Sequence, residues 1–274
     1  MFKHFYHGTL RKYVIIFGNL FNNIVIHRVN SAGAVVQAMK VPLSYGPKDK
    51  FLARLDGDPK LNRPFAEILP RMAFEISSIS YAPERKLNTL NRNVKADPNN
   101  KNQLNYNYQS VPYDIGFTLY IMIKNTDDGT RIVEQILPYF TPDWTITANI
   151  MPEMGMVLDI PIVLTNTILQ DTYEGDFLNR RAIVWSLDFV MKGHLFGPVK
   201  KGNVIKTANV NFVRMSSANT ENAISNTIVS EHIYIRPGLT ANGQPTSNAS
   251  ESVAVSEIGG SDNYGFIIDF ETDI

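Results

Sequence analysis

The chain has 274 residues, with 26 lysines and arginines against 26 aspartates and glutamates, and no cysteine. At 44% hydrophobic and 11% aromatic residues it can fill a substantial core, which excludes global disorder. Balanced charge provides no long-range field for capturing a polyanion. The missing cysteines exclude disulfide frameworks, thiolate zinc sites and cysteine nucleophiles together.

In chain order, the first element is an amphipathic helix over about 9–21. Leu10, Tyr13, Val14, Phe17, Leu20 and Phe21 recur at spacings of three and four, and Thr9 stands at the N-cap. Two strands follow at 24–29 and 35–43, joined by a turn around Ser31-Ala32-Gly33. The Gly and Pro punctuation of 45–70 predicts turns around short helical pieces. Met72, Phe74 and Ile76 alternate with Ala73, Glu75 and Ser77 as in a half-buried strand. Residues 88–110 are rich in asparagine and poor in large aliphatics, and read as a surface loop or an arm that orders on a partner.

The centre is the most regular part. Ile115, Phe117, Leu119, Ile121 and Ile123 form one face of a strand, and Asn125 to Gly129 a turn. Ile132, Val133, Ile136, Leu137 and Phe140 follow helical spacing, stopped by Pro138 and Pro142. Strands at 145–150 and 157–169 come next, the second with Leu158, Ile160, Ile162, Leu164 and Ile168 on one face. After a turn at Glu174-Gly175-Asp176, Ile183, Trp185, Leu187, Phe189 and Met191 line another strand. Segments 204–213 and 228–235 are further strands. The polar run from 238 ends in apolar Phe266-Ile267-Ile268-Asp269-Phe270. Two readings of that end stay open: it adds a strand to a neighbour, or it folds back on its own sheet.

These elements predict an α+β fold, a mostly antiparallel β-sheet packed against helices, with long loops and a polar C-terminal extension. The expected organisation is a main domain over 1–200 with an Asn-rich loop at about 88–110. Additional β segments of the same domain follow over 201–237, then a flexible extension over 238–274.

Signatures of chemistry are missing. There is no phosphate loop, dinucleotide fingerprint, nucleophile elbow or zincin motif. His4 and His7 lack a nearby carboxylate to complete a metal site, and Asp171, Glu174 and Asp176 lack the run of oxygens a calcium loop needs. Glu75, Glu134 and Asp188 are the carboxylates within well-formed elements, and nothing in the sequence brings them together. Lys200-Lys201 and Arg180-Arg181 are tight basic pairs without interleaved aromatics. No catalytic, metal or cofactor residue is expected. The opening Met-Phe-Lys-His-Phe-Tyr-His has no signal-peptide core, and no run approaches the ~20 apolar residues of a membrane span, so a protein made in the cytoplasm is expected.

Several stretches, in order, resemble the tail sheath stabiliser and completion proteins of contractile-tailed phages, in the tail-terminator ring group. They are Phe5-Tyr6, Arg11-Lys12-Tyr13 and Leu20-Phe21, then Ile68-Leu69-Pro70-Arg71 running to Ser80-Tyr81-Ala82-Pro83. The helix Ile132-Val133-Glu134-Gln135-Ile136-Leu137-Pro138-Tyr139-Phe140 follows, and then Gly175 to Arg181 leading into Ile183-Val184-Trp185-Ser186-Leu187 and Gly193. The resemblance covers most of 1–200 and stops there. It implies a structural virion protein and not an enzyme: a hexameric ring capping the head-proximal end of the tail, stabilising the extended sheath and offering a surface to the neck. The implied partners are further copies of the chain, the tail sheath protein, the tail tube or its terminator, and a neck or head-tail connector protein. No sequence-specific nucleic-acid binding, membrane or cofactor is implied. Candidate partner contacts are Arg180 and Arg181 at a strand entry, and Phe266, Ile267, Ile268 and Phe270 near the C-terminus. The alternatives are a tail-tube terminator or connector subunit and, in a different class, a carbohydrate-binding or hydrolytic tail protein.

Overall fold

The computed structural model describes residues 4–29, 35–51, 69–171, 183–215 and 227–272. The Ser31 turn, most of the 45–70 segment and the Glu174 to Arg181 stretch lie outside these residues. The architecture is α+β, as the sequence predicts, and it forms two compact units. Residues 1–88 and 110–196 make the first, residues 89–109 and 197–274 the second.

The first unit is built on a six-stranded sheet of order β3-β4-β7-β10-β9-β8. Its strands are β3 (Leu43–Tyr45), β4 (Arg71–Tyr81), β7 (Val111–Ile123), β8 (Asp143–Met151), β9 (Met156–Asp171) and β10 (Ile183–Leu195). β3 joins β4 in parallel, and every other pair is antiparallel. A separate hairpin pairs β1 (Val25–Val29) with β2 (Val35–Lys40).

Helix α1 (Thr9–Phe21) lays its buried stripe of Thr9, Tyr13, Phe17 and Phe21 on one face of the sheet. That stripe is the i, i+4 set, whereas Leu10 points to solvent. Gly8, in the left-handed region at φ 64°, occupies the N-cap position, and Thr9 is already helical and buried. Phe17 is the hub of the core. It stacks on Phe117 at 4.4 Å between centroids and touches Phe74 and Phe189 at 5.3 and 5.4 Å. These three rings come from β4, β7 and β10, so one helical residue ties together three strands.

Helix α2 (Thr126–Ile136) begins earlier than its apolar spacing suggests. The Asn125 to Gly129 segment, expected as a turn, is the N-cap and first turn of this helix. Asp127 and Asp128 there are placed where the helix dipole favours negative charge. Asp128 is buried and pairs with Arg28 at 3.3 Å, while Asp127 pairs with Arg131 one turn on at 2.9 Å.

β-Bulges reset the faces of long strands, among them β4 and β9. In β4 the pairing steps from Ile76 opposite Phe117 to Ser78 opposite Gly116, so Ser77 is extra. In β9 it steps from Asn166 opposite Asp188 to Leu164 opposite Phe189, which makes Thr165 extra. The Thr165 hydroxyl donates to the Asp188 carbonyl at 3.0 Å. Ile168 therefore leaves the face of Leu164, pairs with Ser186, and is exposed, against the expected single apolar row.

The second unit holds two three-stranded sheets. The first has the order β11-β6-β5, from β5 (Arg92–Ala96), β6 (Gln103–Tyr108) and β11 (Lys200–Asn203). The Asn-rich segment is thus an ordered hairpin and not an irregular arm, closed by turns at Asp97 to Gln103. The second sheet has the order β12-β13-β14, from β12 (Ala208–Met215), β13 (Thr227–Gly238) and β14 (Gly265–Thr272). Between β13 and β14 the polar run, expected as a flexible extension, is folded into turns around buried Leu239 and Ile258.

Candidate interaction surfaces

The carboxylates that sequence reading singled out do not converge on a cleft. Glu75 and Asp188 lie on the sheet face opposite α1, on either side of Thr118. The Tyr120 hydroxyl donates to Glu75 Oε1 at 3.0 Å, and Thr118 donates to Asp188 Oδ1 at 2.8 Å. Desolvation, then the Glu75 hydrogen bond and the nearby negative charges, push the Tyr120 phenol up to about 12. A tyrosine held so firmly protonated is a fixed donor that ties β7 to β4. Glu134 sits elsewhere, on the rim of a groove of about 520 Å³ between the ends of α1 and α2. Phe21, Ile136 and Phe140 line that groove, and Tyr139 and Trp144 meet edge to face beside it. Glu134 is its only carboxylate among the described residues, so the paired acids that glycoside hydrolysis requires are not assembled there.

The histidines are structural or dispersed. His194 on β10 is bonded through its backbone to Tyr13. The tyrosine hydroxyl donates to the His194 carbonyl and accepts from its N–H, both at 2.8 Å. Its Nδ1 lies 3.1 Å from Ser110 Oγ. Burial first, then the charges of Arg85 and Lys86, push the His194 imidazole below its usual value. Among the described residues no group of three or more His, Asp or Glu side chains could hold a metal ion. No helix there is long and apolar enough to cross a membrane.

The C-terminal segment folds back on its own sheet. β14 pairs antiparallel with β13, placing Phe266, Ile268 and Phe270 opposite Pro237, Ile235 and Ile233. Directly paired residues share a face, and β12 adds Val210 and Phe212 to the same side. The three β14 side chains on it are 63, 50 and 72% exposed. Ile267 points the other way and is buried at 2%, packed near Gly238. That opposite face is polar, with Asn209, Asn211, His232, Tyr234 and Arg236, the last paired with Asp269 at 3.1 Å. The sheet is thus amphipathic with its apolar side in solvent. The outer edge of β14 has no partner strand among the described residues. Of the sequence-predicted contacts, Phe266, Ile268 and Phe270 share this surface and Ile267 does not, while Arg180 and Arg181 lie outside the described residues. Val210 and Phe212 were missed because their side depends on pairing with a strand some twenty residues away.

An α+β scaffold whose polar networks serve the sheet, with an apolar sheet face turned outward, defines a structural, interface-forming protein. The chain belongs to the tail sheath stabiliser family of T4-like Myoviridae viruses, whose family model matches residues 4–257. It is 32% identical over 220 residues to the tail completion protein gp15 of Enterobacteria phage T4, covering 77% of this chain and 79% of that protein. It is accordingly a virion tail component and not an enzyme. The family match runs well past residue 200, where the recognisable sequence stretches end, but stops short of β14.

Proposed function

We propose that six copies of this chain close into a ring at the head-proximal end of a contractile tail. The ring holds the last layer of sheath in its extended form and presents its other side to the neck. The observation that carries this reading is the exposed apolar face of the β12-β13-β14 sheet. Burying Phe266, Ile268 and Phe270 alone offers roughly 5–9 kcal/mol before association costs. The remaining proposed contacts are Arg180 and Arg181, which would pair with acids of a neighbouring subunit for about 0–1 kcal/mol each.

Light scattering across a concentration series tests the ring. Six chains of 30.8 kDa give about 185 kDa, and closed symmetry holds that mass constant. Phe266→Ser combined with Phe270→Ser should leave the far-ultraviolet circular dichroism unchanged and yield the single-chain mass. Purified sheath subunits should be retained by the ring, which a tube terminator or connector subunit would not achieve. A single-chain mass at every concentration, persisting when sheath subunits are added, would sink the proposal.

A further inference from the structure

The β11-β6-β5 sheet carries a second surface of different chemistry. Its three strands, Arg92-Asn-Val-Lys-Ala, Gln-Leu-Asn-Tyr-Asn-Tyr108 and Lys200-Lys-Gly-Asn, contain four cations and no carboxylate. The register places Arg92 opposite Tyr108, and Val94 and Lys200 both opposite Tyr106, so these five side chains share one face. The Arg92 guanidinium lies over both rings, 5.3 Å from the centroid of Tyr108 and 5.6 Å from that of Tyr106. The Lys200 ammonium lies 5.3 Å over Tyr108. Neither cation forms an ion pair among the described residues, and Arg92, Lys200 and Tyr108 are all exposed. Asp97, just beyond the end of β5, is committed to Lys201 at 3.1 Å and to the Asn99 N–H at 3.0 Å.

What this face offers a ligand follows from how the tyrosines are used. β5 and β11 flank β6 on its two sides, so the Tyr108 ring stands between a cation from each neighbour. A ring engaged in this way holds the cations in place by cation–π attraction and is not left open as a platform for a base. The groups remaining are fixed positive charges, guanidinium and ammonium N–H donors and phenolic hydroxyls, which are the groups that contact phosphate oxygens and carry no sequence information. An apolar protein partner gains nothing here, and a neutral sugar would need the ring faces free. We propose that the Arg92–Tyr106–Tyr108–Lys200 face binds the phosphate backbone of duplex DNA without regard to sequence. The duplex is favoured over a single strand because it turns its phosphates outward at one charge per ~1.7 Å, whereas a single strand gains chiefly by stacking its bases. The zero net charge of the chain does not weigh against this, because contact at close range depends on the local patch. The inference does not depend on the ring.

Fluorescence anisotropy of the full chain with a labelled duplex, over a salt series, is the test. The expected result is binding that is indifferent to sequence and falls with salt. Arg92→Ala with Lys200→Ala should weaken it ~10-fold or more and flatten the logarithmic salt slope by about 2. Arg92→Lys should recover part of the affinity, and Lys48→Ala, in the other unit, should change nothing. Circular dichroism on each variant excludes unfolding as the cause. Absence of binding at low salt, or binding untouched by the double variant, would overturn the assignment. So would tighter binding of oligothymidylate than of duplex, or competition by polyglutamate as effective as that by DNA, which would redirect the face to an acidic protein.

Discussion

Single residues in this protein owe their state to what surrounds them, and His194 shows it most directly. Its imidazole is half-buried beside Arg85 and Lys86, and its folded pKa lies below the unfolded one. Between these two values the unfolded chain binds more protons than the folded one, so stability rises with pH there. Lowering the pH from above 7 through the unfolded histidine value of about 6.5 should therefore lower the urea midpoint, levelling off below the folded pKa. The carboxylate of Asp97, held below its usual range by the Asn99 N–H and Lys201, titrates in a more acidic window and does not obscure the effect. Measured midpoints across this window should flatten in His194→Gln. An unchanged pH dependence in that variant would assign the proton to another group.

At the scale of elements, the approach of α2 to the sheet depends on Gly129. A Cβ there would lie 2.2 Å from Ile123 Cδ1 and 2.9 Å from Trp185 Nε1. Ile123 is fully buried and the indole is wedged beneath the helix, so neither yields freely. Gly129→Ala gains about 1 kcal/mol in helix propensity and loses about 1–3 kcal/mol to overpacking. The expected outcome is a net loss seen as a lower denaturant midpoint, and a raised midpoint would mean that α2 slides without cost. Elements of this kind were largely legible in the sequence. The 3.6 period marked α1 and α2, and strict alternation marked β7 and β10. What could not be read was the register. A bulge such as Thr165 or Ser77 has no compositional mark, yet it moves every later side chain to the other face. The hairpin β5–β6 was hidden by the low strand propensity of asparagine, although Leu104, Tyr106 and Tyr108 already alternate. Its cation–tyrosine face was out of reach, because Lys200 joins Tyr108 through a pairing nearly a hundred residues long.

Over the whole molecule, the chain passes between its two units at 88–89, 109–110 and 196–197. Truncation after residue 196 removes β11 and the β12-β13-β14 sheet but keeps the six-stranded sheet and the β1–β2 pair of the first unit, and the β5–β6 hairpin. A two-stranded hairpin is marginally stable alone. The truncated protein should keep a cooperative thermal transition and be cut by protease first within 89–109, while the full chain resists there. Equal resistance in both forms would show that the hairpin needs no third strand.

That threading also sets a timetable. β6 leaves the ribosome about ninety residues before the strand that completes its sheet, which at ~5–20 residues per second is a wait of roughly 5–20 s. Throughout it both edges of the hairpin stand open to other nascent chains. Asparagines and cations are poor material for a strand but a good safeguard for one that must wait, since they discourage edge-to-edge pairing until β11 arrives.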